Sequence, residues 1–346
     1  MPARTRLSPL TSNFITATLL ATAFLMTRDV SAQTKNIDGS IKRNPADIEA
    51  IVRLQVLLDR AEFTPGRIDG SLGQFTFKAL ALYRAAHGGP LSTPLERDEA
   101  NPDSLPDLSD LDLAKAGPTF ILYTVTDSDL ENIGELPDDV ADQAKAEAMT
   151  YRSAAEAIAE KFHTDVDFLE ELNPGKTGEI AAGDSLSVPN VIPFELSAVT
   201  KGSLETDESN TSTTSLKIDT GTSMLTVYEG ERIMAAYPVT LGSGQTESPI
   251  GDWKVTELSG MPNFRYDKSM LKEGIRSDNF HMLPPGPNNP VGVLWIQLNK
   301  TGIGLHGTSE PETIGRSASA GCVRLANWDV VRLAAKIRAS VPVEIH

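Results

Sequence analysis

Residues 215–242 read SLKIDTGTSMLTVYEGERIMAAYPVTLG and predict a sheet in the C-terminal part of the chain. Runs of β-favouring residues alternate here with the turn-forming segments DTGT and EGE. Further runs of the same kind follow, and glycine and proline interrupt them every 8 to 12 residues. These runs are DWKVTEL, VLWIQL and IGLHG. This pattern is typical of a β-sandwich or barrel-like sheet. One helix, residues 328–340 with Asn327 as its N-cap, is expected to pack on that sheet.

Length and charge bound the class of protein. At roughly 150 residues per domain, 346 residues allow two or three domains. Lys plus Arg is 31 and Asp plus Glu is 47, so the formal net charge of −16 argues against nucleic acid or an anionic membrane as partner. The single cysteine, Cys322, cannot form an internal disulfide or a Cys-rich metal site. Four histidines lack ligand spacing, so no metal or cofactor is predicted: His87, His163, His281 and His346.

Residues 1–32 are interpreted as a secretory signal peptide. Arg4 and Arg6 precede the apolar run 14–26, and Val-Ser-Ala at 30–32 forms a small-residue cleavage pattern. The apolar run has about 13 residues, whereas a spanning helix needs roughly 20. We therefore expect a periplasmic or otherwise exported, cell-wall-associated protein with no membrane span after cleavage. The alternative is an uncleaved anchor or a buried helix.

Two smaller segments precede the β-rich part. In residues 44–90, apolar residues at helical spacing predict helices on either side of the turn TPGRIDGSLG. Residues 119–192 predict a strand, a helix over 153–162 with a Ser153–Glu156 capping box, a helix over 166–172 and a strand over 184–189. The acidic stretch 127–147 is interpreted as a solvated insertion. Polar linkers are expected near 91–112 and 201–214.

His306 and Cys322 form the candidate catalytic pair because His306 is the histidine whose segment also carries a plausible nucleophile, Cys322, 16 residues further on. With a reference pKa near 8.5, a thiol is about 3% ionised at pH 7, and an adjacent imidazole can take its proton. Gly321 allows a tight turn with exposed N–H groups, and Arg324 places positive charge nearby, which favours a thiolate. Ser317, Ser319 and Thr308 could orient the imidazole or the substrate. The alternative is a cysteine that is simply buried as a small hydrophobe.

The stretch HGTSEPETIGRSASAGCVRL, residues 306–325, resembles the active-site signature of YkuD-type L,D-transpeptidases. In that family a histidine precedes a Ser-x-Gly-Cys-x-Arg block at about this spacing. YPVTLGSGQTESPIGDWKV and PPGPNNPVGVLWIQL resemble its upstream regions, so the resemblance covers 215–346. Ala320 stands where the family often has His, and Ser248 where Thr is frequent.

The resemblance implies both a mechanism and site residues. Cys322 is expected to attack a peptidoglycan tetrapeptide stem, releasing D-Ala and forming a thioester, and an amine then takes the acyl group. His306 is expected to be the base, and the Gly307 carbonyl is expected to fix its tautomer. The motif positions that shape the site are Ser319, Gly321 and Arg324. The acceptor would be another stem (a 3–3 cross-link) or a lysine of an envelope protein, and no cofactor is implied.

The upstream segments resemble wall-binding modules. Residues 44–90, with L-Q-x-x-L, G-x-I-D-G-x-L-G and T-x-x-A-L, are similar to a three-helix peptidoglycan-binding domain. Asp69 and Gly70 are interpreted mainly as turn formers there. Residues 119–192 resemble, more weakly, a small α+β LysM module with an acidic insertion, and LysM modules bind N-acetylglucosamine-containing glycans. The sequence thus predicts a multidomain chain whose partners are peptidoglycan stem peptides and glycan.

Three functions fit these observations. The first is an exported L,D-transpeptidase. The second is a hydrolase on the same scaffold, in which water replaces the amine and stem cross-links or protein anchors are cut. The third is an inert wall-binding protein, for which Ala320 is the only hint in the sequence.

Overall fold

The computed structural model describes residues 44–91, 104–203, 213–242, 248–316 and 321–346. The predicted signal peptide and most of both predicted linkers lie outside these ranges. Asn44–His346 form one compact unit. Among the described residues, no helix is both long and apolar enough to cross a bilayer.

The N-terminal segment contains helices α1 (Pro45–Arg60) and α2 (Gln74–Ala86). Asp69 Oδ1 accepts hydrogen bonds from Gln55 Nε2 at 3.1 Å and from the Ser71 N–H at 2.9 Å, so this carboxylate shapes the turn between the helices. The helical character predicted for 44–90 is confirmed. The three-helix architecture is found only in part, because the described residues of this range contain two helices.

The middle segment contains an antiparallel pair, β1 (Phe120–Thr124) and β2 (Ser185–Pro189), with helices between the strands. These helices are α3 (Asp127–Leu130), α4 (Val140–Gln143), α5 (Ala154–Lys161) and α6 (Val166–Leu172). The Ser153 side chain accepts from the Glu156 N–H at 3.1 Å, which is the predicted cap of α5. The predicted strands and two main helices are confirmed, whereas the likeness to a LysM module remains a prediction.

One acidic residue departs from the expected solvated insertion. The Asp129 side chain is only 3% exposed and lies 2.9 Å from Lys161 Nζ. It also accepts a hydrogen bond of 2.6 Å from the Tyr123 hydroxyl. Burial is tolerated here because the charge is paired and hydrogen-bonded, so Asp129 belongs to the packed part of the segment.

The C-terminal segment is built on one nine-stranded sheet. Its strands are β3 (Gly202–Ser203), β4 (Thr214–Asp219), β5 (Met224–Glu229), β6 (Arg232–Pro238), β7 (Gly251–Gly260), β10 (Leu294–Leu298), β11 (Gly304–His306), β12 (Val323–Arg324) and β13 (Pro342–Ile345). Across the sheet the order is β12-β11-β10-β7-β13-β4-β5-β6, and β3 pairs with β7. A separate hairpin, β8 (Phe264–Tyr266) and β9 (His281–Leu283), encloses helix α7 (Lys268–Glu273).

The predicted mostly-β character is therefore confirmed, but the two sheets of a sandwich are replaced by a single curled sheet. The long strand β7 makes this possible. Residues 251–254 of β7 pair with β13, whereas residues 255–260 pair with β10, so the two halves of the sheet are continuous through one strand. Both halves contribute to one apolar core.

Helix α8 (Asn327–Ala334) packs Trp328, Val330 and Leu333 into that core. It is shorter than the predicted 328–340, and Asn327 is not its N-cap. Asn327 is instead the first helical residue, and its side chain is fully buried.

The three segments share their cores. Val52 and Val56 on one face of α1 pack with Ile158 and Leu169 of the middle segment. The opposite face of α1 packs against α2 and against Met224 and Ala236 of the sheet. The α1 residues on this face are Ile51, Leu54 and Leu58. Thr64 N–H donates to the Ala236 carbonyl at 2.9 Å, so residues 62–64 cover the edge strand β6. Covering an edge removes a site for unwanted strand pairing.

A buried ionic junction joins all three segments. Asp59 of α1 lies 2.9 Å from His163 Nδ1 and accepts two hydrogen bonds from Arg332 of α8, at 2.9 and 3.2 Å. Burial alone would raise the pKa of Asp59, but the Arg332 charge, followed by His163, holds the pKa well below its ordinary value. His163 also stacks on Trp328 with ring centroids 5.1 Å apart.

Candidate active site

Two short parallel strands hold the candidate catalytic pair. In the register of β11 with β12, His306 lies beside Arg324 and Leu305 beside Val323. Cys322 comes directly before β12, two residues from Arg324. Because residues paired across neighbouring strands share a face, His306 and Arg324 lie on the same face, and the Arg324 charge also acts on the Cys322 thiol.

The tautomer of His306 is determined by its backbone neighbour. Nδ1 of His306 lies 2.6 Å from the Gly307 carbonyl oxygen. A carbonyl can only accept, so Nδ1 carries the hydrogen and the lone pair of the neutral ring is on Nε2. Nε2 is then the atom that can receive a proton.

Trp295 fixes the plane of the imidazole, and its role could not be seen in the sequence. Its indole stacks on His306 with ring centroids 5.3 Å apart and an interplanar angle of 14°. A Cβ added at Gly304 would lie 2.7 Å from this indole, so only glycine at that position leaves room for the ring. The sequence signals for this contact are only an aromatic residue in one predicted strand and a glycine two residues before His306 in the next, and neither indicates stacking by itself.

The thiol of Cys322 is partly exposed. Its Sγ lies 3.6 Å from the Gly302 carbonyl oxygen, to which a protonated thiol can donate. Gly321, directly before it, has φ of +98°, a conformation that glycine adopts without the strain expected of other residues.

Burial governs the electrostatics of the pair. It raises the pKa of Cys322, although the Gly304 N–H and the Arg324 charge act in the opposite direction. The pKa of His306 is lowered to about 4, mainly by burial and also by the Arg324 charge, although the hydrogen bond to Gly307 acts in the opposite direction. The Arg324 charge acts on the thiol in the expected direction, but desolvation outweighs its attraction. Both pKa shifts therefore favour a neutral thiol and a neutral imidazole in the free protein.

Arg324 and Thr308 lie close to the candidate pair. Arg324 is half-buried, and burial lowers the pKa of its guanidinium, whereas the nearby Glu310 carboxylate acts in the opposite direction. Thr308 is buried, and its hydroxyl accepts from the Glu310 N–H at 3.2 Å, so it shapes the turn after His306. Ser319 lies outside the described residues, as do Ser317 and Ala320.

A cavity of about 320 Å³ lies between α5, α6 and the loop 309–312 that follows His306. Its lining includes five carboxylates: Glu156, Glu160, Asp165, Asp167 and Glu312. Arg67 also lines it and is paired with Asp165 at 2.6 Å. Across the described residues, no three His, Cys, Asp or Glu side chains are grouped as metal ligands.

The C-terminal segment thus combines a curled, mostly-β sheet with a histidine at the end of β11 and a cysteine directly before the parallel strand β12. Residues 213–345 match the family model YkuD, the L,D-transpeptidase catalytic domain. The chain therefore carries a YkuD-type catalytic domain and is an L,D-transpeptidase enzyme.

Curated relatives extend the similarity upstream. A Bacillus licheniformis protein named as an L,D-transpeptidase, YkuD, is 26% identical over 196 residues, which is 55% of this chain and 92% of the relative. Its Bacillus subtilis namesake is 25% identical over 195 residues, with the same two coverages of 55% and 92%. These alignments are longer than the match to 213–345, so they continue into the middle segment.

Solved structures are more distant. An L,D-transpeptidase from Mycobacterium smegmatis is 14% identical with a TM-score of 0.33, covering 53% of this chain and 86% of that one. L,D-transpeptidase 3 from Mycobacterium tuberculosis is 13% identical with a TM-score of 0.33, covering 49% and 76%.

Proposed function

We propose that this protein is an exported enzyme whose Cys322 attacks a peptidoglycan tetrapeptide stem, forms an acyl-enzyme with it and transfers the acyl group to an amine. The observation that carries the proposal is the 2.6 Å contact between His306 Nδ1 and the Gly307 carbonyl, which leaves Nε2 as the basic atom of the imidazole. Family membership supports an enzyme that acts in peptidoglycan cross-linking.

The proposed reaction begins from the neutral pair. Nε2 of His306 takes the thiol proton as Sγ bonds to the carbonyl carbon of the third residue of the stem. The protonated imidazole then gives that proton to the leaving D-Ala nitrogen as the carbon–nitrogen bond breaks, which leaves a thioester. In the second half an amine attacks the thioester while Nε2 of His306 takes a proton from its nitrogen, and that proton passes to Sγ as the carbon–sulfur bond breaks, which restores the Cys322 thiol and the neutral imidazole.

Positive charge and backbone donors would assist these steps. Arg324, on the same face as His306, can attract a substrate carboxylate. The N–H groups around Gly321 can stabilise the tetrahedral oxyanion. Ser319 is proposed to contribute to the shape of the site.

We further propose that the chain is exported through cleavage after Ala32, and that the N-terminal and middle segments bind wall peptide and glycan. The basic start, apolar run and small-residue pattern of 1–32 support the first proposal. The paired strands β1 and β2, with helices α5 and α6 leading into β2, support the second for the middle segment. Intact mass of the secreted protein tests export: mature protein should start at residue 33, and retention of residues 1–32 would contradict it.

Mass spectrometry with a disaccharide-tetrapeptide tests the reaction. Wild type should form an adduct on Cys322 with loss of D-Ala, and Cys322→Ser and His306→Gln should not form it at a measurable rate. His346→Gln is a matched control, since that side chain is 51% exposed at the C-terminus and should leave the adduct unchanged.

The products then separate the alternatives. A 3–3 linked dimer, or a stem joined to an added lysine peptide, indicates transfer, whereas accumulation of tripeptide alone indicates a hydrolase. A folded wild type that forms no adduct, yet binds the wall, would overturn the proposal in favour of an inert binding protein.

A further inference from the structure

The side chain of Asn327 is buried beside Gly307, the residue that follows His306. Its Oδ1 accepts from the Val293 N–H at 3.1 Å, while its Nδ2 donates to Glu160 Oε1 at 2.9 Å and to the Pro287 carbonyl at 3.3 Å. The oxygen needs a donor and the nitrogen needs acceptors, so these partners allow only one orientation of the amide.

This amide touches the backbone that holds the imidazole. A Cβ added at Gly307 would lie 2.1 Å from Asn327 Oδ1, so the amide oxygen is packed directly against the Gly307 backbone. Gly307 supplies the carbonyl that receives Nδ1–H of His306. On the other side, Val293 leads directly into β10, which carries the stacking Trp295.

The opposite end of the contact belongs to the middle segment. Glu160, on α5, is 7% exposed. One carboxylate oxygen accepts from Asn327 and the other from the Tyr151 hydroxyl. Burial raises the pKa of Glu160 to about 7, although both hydrogen bonds lower it. A buried carboxyl group with both oxygens in use holds its partners in a defined place.

We propose that Glu160 and Asn327 are positioning residues for His306, so that the middle segment completes the active site of the C-terminal segment. The inference rests on the proposed acyl transfer for its effect on rate. Glu160 holds the Asn327 amide, and that amide holds Gly307 and the start of β10 on either side of the imidazole. The middle segment then has a catalytic role in addition to any binding role.

Three variants test this inference. Glu160→Leu removes the acceptor at similar volume, and Glu160→Gln retains an acceptor oxygen. Asn327→Asp keeps the acceptor for Val293 but replaces the donor with a second oxygen. Because misplacement of a catalytic group by about 1 Å can cost about 100-fold, Glu160→Leu and Asn327→Asp should lower the acylation rate of Cys322 by 10- to 100-fold. Glu160→Gln should stay within about threefold of wild type.

A matched control exists on the same helix. Glu156 Oε1 accepts from Asn288 Nδ2 at 2.9 Å, which is another Glu–Asn bond from α5 to the C-terminal segment. It makes no contact with Gly307 among the described hydrogen bonds. Glu156→Leu should therefore leave the acylation rate near that of wild type, whereas an equal loss in this variant would show that segment docking matters and would overturn the proposal.

Two readouts separate position from folding. Alkylation of Cys322 by iodoacetamide should not change in Glu160→Leu, because this reagent reports the thiol and not the base. Nitrogen-15 NMR of His306 should give an Nδ1–H tautomer in wild type and a mixed population in Glu160→Leu. This measurement needs no turnover, so it decides the proposal even where wild type forms no adduct and the proposed function fails.

The outcomes that contradict the inference are clear. A folded Glu160→Leu protein with wild-type acylation and the Nδ1–H tautomer would overturn it. Thermal denaturation shows whether the variants fold. If neither Glu160→Leu nor Asn327→Asp folds, the contact determines stability, and the inference is overturned.

Discussion

The free protein should hold Cys322 as a neutral thiol, and alkylation kinetics can measure this directly. A thiol of reference pKa 8.5 is about 3% ionised at pH 7, and burial raises the pKa of Cys322 above its ordinary value. Since it is the only cysteine of the chain, iodoacetamide reports one site without interference.

The reference pKa of a thiol sets a lower limit on the size of the effect. Moving a proton from a thiol of the reference pKa, about 8.5, to an imidazole of pKa about 4 is unfavourable by about 6 kcal/mol. Two unit charges in contact, about 4 Å apart, would regain about 4 kcal/mol of this at an effective dielectric constant of 20. The raised pKa of Cys322 widens the difference, so the neutral pair is favoured over the ion pair.

The assay is the alkylation rate of wild type and His306→Ala between pH 4 and 10. We expect the rate to rise about tenfold per pH unit through neutrality, with its only inflection above pH 8.5. His306→Ala should follow wild type within about threefold at pH 7, because the imidazole does not generate a resting thiolate. The same variant should lose acylation by the stem peptide.

A plateau of alkylation between pH 5 and 7 would refute this reasoning, if His306→Ala abolished it. Such a plateau would mean that a thiolate–imidazolium pair exists before substrate arrives. The protonation step would then precede acylation rather than accompany it.

Three more predictions concern stability and the site. Asp59→Asn should lower the free energy of unfolding by about 3–5 kcal/mol in urea denaturation, because the buried Arg332 charge loses its partner; a loss below 1 kcal/mol would argue against the junction. Because the folded-state pKa of Glu160 is raised from 4.5 to about 7, its contribution is present below pH 4.5 and is lost as pH rises through 7. Between pH 4.5 and 8 wild type should therefore lose up to about 3 kcal/mol more stability than Glu160→Gln, and parallel curves for the two proteins would contradict this. Gly304→Ala should destabilise by about 1–3 kcal/mol and slow acylation because its Cβ meets the stacked indole, while Gly178→Ala, with open space at Cβ, should change stability by no more than about 0.5 kcal/mol; equal effects would exclude the steric reason.

Local patterns sufficed for the elements that lie close in sequence. Helix α5 could be predicted because Ser153 and Glu156 cap it three residues apart. Strands β4 to β6 could be predicted because turn formers separate short β-favouring runs. The choice of His306 and Cys322 as the candidate catalytic pair was also possible from the sequence, since both residues occur in one recognisable stretch.

Other features depended on residues far apart in the chain. Asn327 has a residue type suited to an N-cap, but its amide is buried and bonded to Glu160, 167 residues away. Asp59 meets His163 and Arg332 across 104 and 273 residues. No local pattern indicates such partners, because the contact exists only once three segments have packed together.

The sequence by itself determined the main helices and strands of the N-terminal and middle segments, the mostly-β character of 215–346 and the identity of the candidate catalytic pair, because capping, alternation and motif spacing are local. Only the tertiary structure decided the continuity of the sheet, the tautomer of His306 and the direction in which burial shifts the pKa of Cys322. The physical reason is that these features depend on desolvation and on backbone groups brought close by folding, and here desolvation raises the pKa of Cys322 although the nearby Arg324 charge lowers it.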